Sequence, residues 1–393
     1  DAYDALQPWL KYQVNQSALD TITVRGLENL VKQARINLTI VGLGLRLTTM
    51  IAQVSGWNNS AAQIGPKWLG KGMSEAVRNF GSNRNFVFAR SEEVARRAKE
   101  FDANVADMYR QIGGKTSRLT RSIEAAQAAA MWGIGAIDVN LVSIPTWLGA
   151  YHRGLSEGMT EEDAASFGDK AVRMSQGSGR AKDLAAIQRQ GEFIKMAVLF
   201  YSYFNVLYNK QYESAQAIKK GVAEAKTGDW ANASSDFRKA GTNIAWIMMA
   251  GPLMASFVMG DWPQEEEDWW DWAVRKIFFG LWAGVPLIRE MAGVAERRYS
   301  GQFSNMPTLP LWSAGDAAFK VAKDASNYLE GDEVSDRWIQ HAIQAPGYFI
   351  GLPTGQIGNT VQYAHDVYVG DQRPQDIGDV MKGVAKGPQK DQE

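Results

Sequence analysis

The chain has 393 residues, a net charge of −1 and no cysteine. The absence of cysteine excludes disulfides, thiolate metal sites and thiol catalysis, and a net charge near zero points to no class of partner. Fourteen tryptophans and 38 glycines are unusual counts. Tryptophan is favoured where one edge of the ring is dry and the other wet, and glycine lets helices approach closely.

Apolar residues recur at helical spacing from the start of the chain. Residues 5–33 form the first such segment, and residues 36–66 follow with Arg46 as their one charged residue. This composition predicts a buried or membrane-adjacent helix that ends in a Gly-Trp-Asn-Asn-Ser turn at 56–60. The opening Asp1-Ala-Tyr-Asp lacks the features of a signal peptide, and a first residue other than Met predicts a processed chain or a fragment.

A basic stretch follows, because residues 67–121 contain twelve Lys or Arg against six Asp or Glu. A helix-turn region at 67–80 leads to a polar loop at 81–85, and Ser91 begins a helix of about 91–112. We expect the basic side chains to contact nucleic acid or anionic lipid, although solvated helix faces have the same composition. The residues expected to do so are Lys67, Lys71, Arg78, Arg84, Arg96 and Arg97.

Two apolar segments mark the central part of the chain. Residues 125–151 carry one charge, Asp138, and Pro145 predicts a kink. Residues 240–260 form 21 consecutive uncharged residues, with bases before them and acids after, which is the pattern of a membrane span. A core helix of a soluble protein has the same pattern. The tryptophans near these and neighbouring segments are candidate membrane or interface residues: Trp132, Trp147, Trp246, Trp269, Trp270, Trp272 and Trp282.

Between and after these segments the sequence gives further boundaries. Thr160, followed by three acids, predicts a helix N-terminus, and residues 181–225 predict one of the longest helices. Proline and glycine recur after Pro307, and from Asp324 to the end eleven acids face five bases. We therefore expect an acidic, separately docked C-terminal extension.

Taken together, the pattern predicts an all-α fold, built as an elongated multi-helix assembly with several nearly uncharged helices and a C-terminal extension punctuated by proline and glycine. We expect three regions. They are an N-terminal helical region with a basic segment (1–120), a central region with apolar, Trp-flanked helices (121–300), and an irregular or helical acidic docking region (301–393).

The motifs that would carry chemistry are incomplete. Gly113-Gly114-Lys115-Thr116 resembles the end of a phosphate-binding loop, but Tyr109 stands where the first glycine is required. The turn at 176–179 lacks the first glycine of a nucleophile elbow. The three histidines are far apart in the sequence. The acids at 265–268 fit a solvated segment after the apolar residues 240–260 better than a cation site. We therefore predict no enzyme, no metal site and no cofactor.

The stretch from residue 128 to residue 208 resembles a known group of proteins. Residues 128–135 read Ala-Ala-Ala-Met-Trp-Gly-Ile-Gly, and residues 145–151 read Pro-Thr-Trp-Leu-Gly-Ala-Tyr. Residues 171–177 read Ala-Val-Arg-Met-Ser-Gln-Gly, and residues 200–208 read Phe-Tyr-Ser-Tyr-Phe-Asn-Val-Leu-Tyr. They resemble the C-terminal region of the large polyvalent proteins of tailed phages and prophages, which include internal virion (ejection) proteins of short-tailed phages.

This resemblance implies a protein packaged in the capsid near the portal and released with the genome into the host envelope. The implied partners are other ejection proteins and the portal, packaged DNA without sequence preference, the host inner membrane, and further copies of the chain in a homo-oligomer. The resemblance carries no catalytic residues. It implies structural or assembly contacts for Arg173, Gln176, Gly177, Lys182 and Asp183.

Two functions remain open at this point. In the first, the chain forms or anchors a transient conduit across the host envelope, because nearly uncharged helices can exchange a packed state for a lipid-facing one. In the alternative, the chain is a structural or tethering domain that docks on the portal, contacts DNA, or packages an upstream virion enzyme such as an RNA polymerase.

Overall fold

The structure of the chain is a computed structural model. It describes residues 25–100, 105–108, 118–180, 183–199, 201–258, 261–263, 268–284, 288, 291–292, 295–296, 310–330 and 333–388. Within these ranges the regular structure consists of helices without a strand, which confirms the all-α prediction.

The helices are named in chain order. Those before residue 180 are α1 Arg25–Leu43, α2 Leu47–Ala52, α3 Gly56–Ile64, α4 Pro66–Arg78, α5 Phe80–Arg90, α6 Glu92–Glu100, α7 Arg118–Ile137, α8 Ile144–Ser156 and α9 Glu161–Ser175. Those after it are α10 Glu192–Ala197, α11 Tyr201–Lys226, α12 Trp230–Asn243, α13 Gly251–Val258, α14 Trp269–Gly280, α15 Pro310–Glu330, α16 Trp338–Ile350, α17 Thr354–Val369 and α18 Ile377–Lys386.

The core is built around α8, which is buried along most of its length between α4 and α9. Glycines allow the two crossing helices α4 and α8 to touch through their backbones. A Cβ on Gly72 would lie 2.6 Å from the Gly149 nitrogen and closer still to the Pro145 carbonyl oxygen. The other face of α8 carries Trp147 and Tyr151, whose rings stack 5.1 Å apart.

The kink predicted at Pro145 takes the form of a π-helical segment, Asp138–Ser143, which joins α7 to α8. Proline has no N–H, so the carbonyl of Leu141, four residues earlier, receives no helical hydrogen bond from it. The indole Nε1 of Trp57 donates to this oxygen at 2.7 Å. The Trp57 side chain of α3 thus supplies the hydrogen bond to the Leu141 carbonyl that Pro145 cannot donate.

In the part of the chain that the structure describes, one helix is long and apolar enough to cross a membrane, Ser122–Ser156. Inside this fold 56% of its most apolar stretch is buried, so it serves as a core helix in this conformation. The predicted span at 240–260 is a different segment. It is described as far as Val258, and it comprises the end of α12, the π-helical Ile244–Ala250 and α13.

The C-terminal region docks against the beginning of the chain. The Asn37 amide of α1 donates to the backbone carbonyls of Tyr348 and Phe349 at 3.0 and 2.8 Å, and Gln127 of α7 donates to the Gly351 carbonyl at 3.0 Å. Gly351 has a φ of +69°, which favours glycine at this turn. The described part of residues 301–393 is mainly helical, and it packs on the N-terminal and central regions.

Three local predictions are wrong. The turn expected at 56–60 is helix α3, and the polar loop expected at 81–85 lies within helix α5. The long helix expected at 181–225 is interrupted: a short 3₁₀ turn at 186–189 and α10 precede α11. The Gln188 side chain accepts from the Ala185 backbone N–H at 3.2 Å, which is a local bond that competes with a continuous helix.

Candidate functional surfaces

The candidate tryptophans fall into two groups in the structure. Trp147 and Trp272 are buried, and Trp246 is half-buried against the core. The exposed ones are Trp132, Trp269, Trp270 and Trp282. Their exposure means that four of the seven predicted interface residues present an indole ring to the surroundings of this chain.

Trp147 is a structural residue in this fold, and its indole is not available as a surface contact in this conformation. Its Nε1 donates to Asp169 of α9 at 2.8 Å, and Asp169 also accepts from the Ser91 hydroxyl at 2.5 Å. Gly168 lies directly against the indole and has no side chain to displace it. The ring therefore ties α8, α9 and the start of α6 together.

One face of α14 is an exposed apolar stripe. Trp270, Val274 and Phe278 stand four residues apart, which places them on one side of a helix. Trp270 is 78% exposed, and the other two are more than half exposed. Trp282, just after the helix, is also exposed, whereas the exposed Trp269 lies on the side of Trp272, whose ring it meets edge-on at 5.7 Å. We call Trp270, Val274, Phe278 and Trp282 the α14 face.

The opposite side of α14 is charged and buried. The Lys276 ammonium lies 2.5 Å from the Asp261 carboxylate and 2.5 Å from that of Glu296. Arg275 lies 3.4 Å from the same Glu296 carboxylate. Trp272, also on the buried side, donates from Nε1 to the Asp261 carbonyl at 3.2 Å. This is the reverse of the usual arrangement, in which a helix turns its apolar stripe inward and its charges to water.

The six basic residues expected to bind an anionic partner have different surroundings in the structure. Arg97 is buried and lies 2.7 Å from Asp138 of the π-helical segment, so it is not available to an external anion in this conformation. Arg96 is exposed but already pairs with Glu92 on its own helix. The other four, Lys67, Lys71, Arg78 and Arg84, lie on the α4–α5 pair.

The residues singled out by the phage resemblance make contacts within the chain. Arg173 lies 3.0 Å from the buried carboxylate of Glu93, which also pairs with Arg180. Gln176 donates to the Gly56 carbonyl at 3.1 Å and to the Ser60 hydroxyl at 2.9 Å. Asp183 accepts from the Ser178 hydroxyl at 2.8 Å, and Gly177, which precedes Ser178, is buried. Lys182 lies outside the described residues.

A polar cavity of about 330 Å³ lies beside these residues, between the end of α9 and helix α11. Arg173, Gln176 and Asp183 line it, together with Lys210 and Glu213 of α11. The charges of its walls are balanced, and Lys210 is held by Gln63 at 2.8 Å and by Glu213 at 3.2 Å. The motif residues Arg173 and Gln176 therefore join α9 to α6 and α3, and α11 closes the other side of the cavity.

Metal-binding groups are dispersed in the described part of the chain. No cluster of three or more His, Asp or Glu residues there could hold a metal ion. His341 lies 2.8 Å from Asp324, and His365 lies 3.1 Å from Asp366. The Gly113–Thr116 motif lies outside the described residues.

The sequence signals missed the members of the α14 face that are not tryptophans, Val274 and Phe278, and also Arg275 and Lys276 on its buried side. The four-residue spacing from Trp270 was the signal available for the first two. Comparison of the chain with protein-family models, with curated proteins and with solved structures finds no match. The surfaces of the molecule are therefore the basis on which a function can be proposed.

Proposed function

We propose that the chain is an internal virion protein of a short-tailed phage that is released with the genome and attaches to the host inner membrane through the α14 face. In this proposal, copies of the chain form or anchor a transient conduit across the host envelope. The observation that carries the membrane step is the inversion of α14, and the resemblance over residues 128–208 supports the phage assignment.

The inversion favours the boundary of a bilayer, where the apolar stripe can enter the membrane while the exposed Asp271 beside it stays in water. Exposed side chains such as Trp270 and Phe278 gain roughly 1.5–3 kcal/mol each when fully removed from water. Ionisable groups next to lipid normally face the protein interior and pair with one another, as Lys276 does with Asp261 and Glu296. Tryptophans at both ends of the stripe suit the boundary between headgroups and hydrocarbon.

Vesicle flotation with the purified chain tests the membrane step. The variant Trp270→Ser/Val274→Ser/Phe278→Ser removes the stripe, and Trp230→Ser is a matched control because Trp230 is 67% exposed on α12. We expect the triple variant to bind phosphatidylcholine vesicles at least about a hundredfold more weakly, and the control to bind as the wild type does. Equal binding of the triple variant and the wild type would contradict the membrane step.

The phage assignment needs its own experiment. Mass spectrometry of intact and emptied particles should find the chain inside before DNA release and missing afterwards. An equal amount in emptied particles would instead favour a structural protein that stays in the virion. This result is independent of the vesicle measurements, so either part of the proposal can fail alone.

A further inference from the structure

The α4–α5 pair carries a concentrated positive charge without acidic partners. Its cations are Lys67, Lys71, Arg78, Arg84 and Arg90, and we call these five residues the basic hairpin. None of them forms an ion pair with any residue that the structure describes. The single acid of the two helices, Glu75, is engaged by His152 of α8.

Aromatic rings hold four of these cations at the surface. The ammonium groups of Lys67 and Lys71 lie 5.3 and 5.7 Å from the centre of the Trp68 ring. The guanidinium of Arg84 lies 4.2 Å from the Phe88 ring, and that of Arg90 lies 3.9 Å from the Phe86 ring. Cations held in this way lose less freedom when they bind an anion.

The tip of the pair is apolar as well as basic. Val77, at the end of α4, is 82% exposed, and Phe80, at the start of α5, is about half exposed. Arg78 lies between them in the chain, and Arg84 follows one turn later. Binding to the phosphates of a duplex gives no role to an exposed aliphatic side chain such as Val77. An interface of anionic headgroups over hydrocarbon accommodates both the apolar tip and the cations around it.

We propose that the basic hairpin binds the headgroups of anionic phospholipids in a bilayer, with Val77 and Phe80 entering the interface. This inference rests on the proposed membrane function and adds a second contact with a different lipid requirement. The α14 face is apolar and needs no particular headgroup. The basic hairpin requires negative charge at the membrane surface. Its position against α8 is fixed by the backbone contact at Gly72.

Vesicle binding with two lipid compositions separates the two contacts. The first composition is phosphatidylcholine alone, and the second is phosphatidylcholine mixed with phosphatidylglycerol. The variant Lys67→Gln/Lys71→Gln/Arg78→Gln removes three hairpin charges, and Val77→Ser/Phe80→Ser removes the apolar tip. The matched control, Lys219→Gln/Lys226→Gln/Lys323→Gln, removes three exposed cations from α11 and α15.

We expect the hairpin charge variant to lose about a hundredfold in affinity for the mixed vesicles, since each cation near an anionic surface contributes about fivefold. Its affinity for phosphatidylcholine should not change, and the control should lose only a few-fold on the mixed vesicles. The tip variant should weaken binding to the mixed vesicles too. Circular dichroism should show the same helix content in all variants.

Three outcomes would overturn the inference. The first is a hairpin charge variant that binds mixed vesicles as the wild type does, and the second is a loss no larger than that of the control. The third is a tip variant that binds mixed vesicles as the wild type does, and the first outcome together with a loss of salt-sensitive binding to duplex DNA would make this a nucleic-acid surface. Loss of phosphatidylcholine binding in the α14 variant tests only the proposed function. It does not change how the binding of the hairpin variants is interpreted.

Discussion

The closest helix crossing in the core gives a sharp test of how this chain folds. Replacing Gly72 by alanine places a methyl carbon 2.6 Å from the Gly149 nitrogen, and nearer still to the Pro145 carbonyl oxygen. Both obstacles are backbone atoms of α8, which is buried and cannot turn aside as a flexible side chain would. Helix α4 must therefore move away from α8.

The size of the effect follows from these distances. Carbon atoms in contact normally lie about 3.5–4.0 Å apart, so α4 must shift by about 1 Å or more. Overpacking of this kind costs about 1–3 kcal/mol, and rigid obstacles place Gly72→Ala near 3 kcal/mol. Gly70, on the same helix, has no atom within 4 Å of its own would-be Cβ. Gly70→Ala should therefore stabilise the protein by about 0.5–1 kcal/mol, because alanine favours the helix.

The pair of variants can be compared by urea unfolding followed by circular dichroism at the helix band. We expect the unfolding midpoint of Gly72→Ala to fall and that of Gly70→Ala to rise. Gly149→Ala, on the other side of the crossing, should behave like Gly72→Ala, because its methyl carbon would meet the Trp68 backbone. Midpoints for Gly72→Ala and Gly70→Ala that move together in either direction would refute the proposed backbone contact between α4 and α8.

Four further variants test other contacts. Gly383→Ala should loosen α18 and speed its hydrogen exchange, because the methyl group would overlap the Tyr363 ring. Tyr363→Phe should stabilise by about 1 kcal/mol, since the buried hydroxyl has no partner among the described residues. Burial also raises the pKa of Tyr363, so the wild type should lose more stability than the variant above pH 10.0, as unfolding at neutral and alkaline pH would show. Arg97→Met should cost about 3 kcal/mol in thermal unfolding by stranding Asp138, whereas exposed Arg96→Met should cost under about 0.5 kcal/mol.

Features set by near neighbours in the chain could be predicted from the sequence. The Thr160 hydroxyl accepts from the Asp163 backbone N–H at 3.1 Å, which is the N-cap that the residue order indicates. The helical spacing of apolar residues likewise gave the all-α class. In both cases the interacting groups lie within one or two turns, so the sequence alone contains both partners.

Features set by distant partners could not be predicted in this way. The Gly-Trp-Asn-Asn-Ser sequence at 56–60 indicated a turn, yet Ser60 is buried in helix α3. Its hydroxyl lies 2.7 Å from that of Thr146 and accepts from Gln176, residues 86 and 116 positions away. A buried polar side chain with such partners costs little, so the helix continues where local propensity favours a turn.

The orientation of α14 is also set by residues that are distant in the sequence. Its two faces can be read from the residue spacing, but spacing does not tell which face turns toward the protein. Asp261 and Glu296, 15 and 20 residues from Lys276, hold the charged side inward. Turning Trp270 and Phe278 into the core would separate the buried Lys276 from the half-exposed Asp261 and the more covered Glu296, and it would move a paired cation away from its carboxylates. The ion pairs therefore fix the apolar face outward, and the surroundings of the protein, whether lipid or a further protein, must supply what covers it.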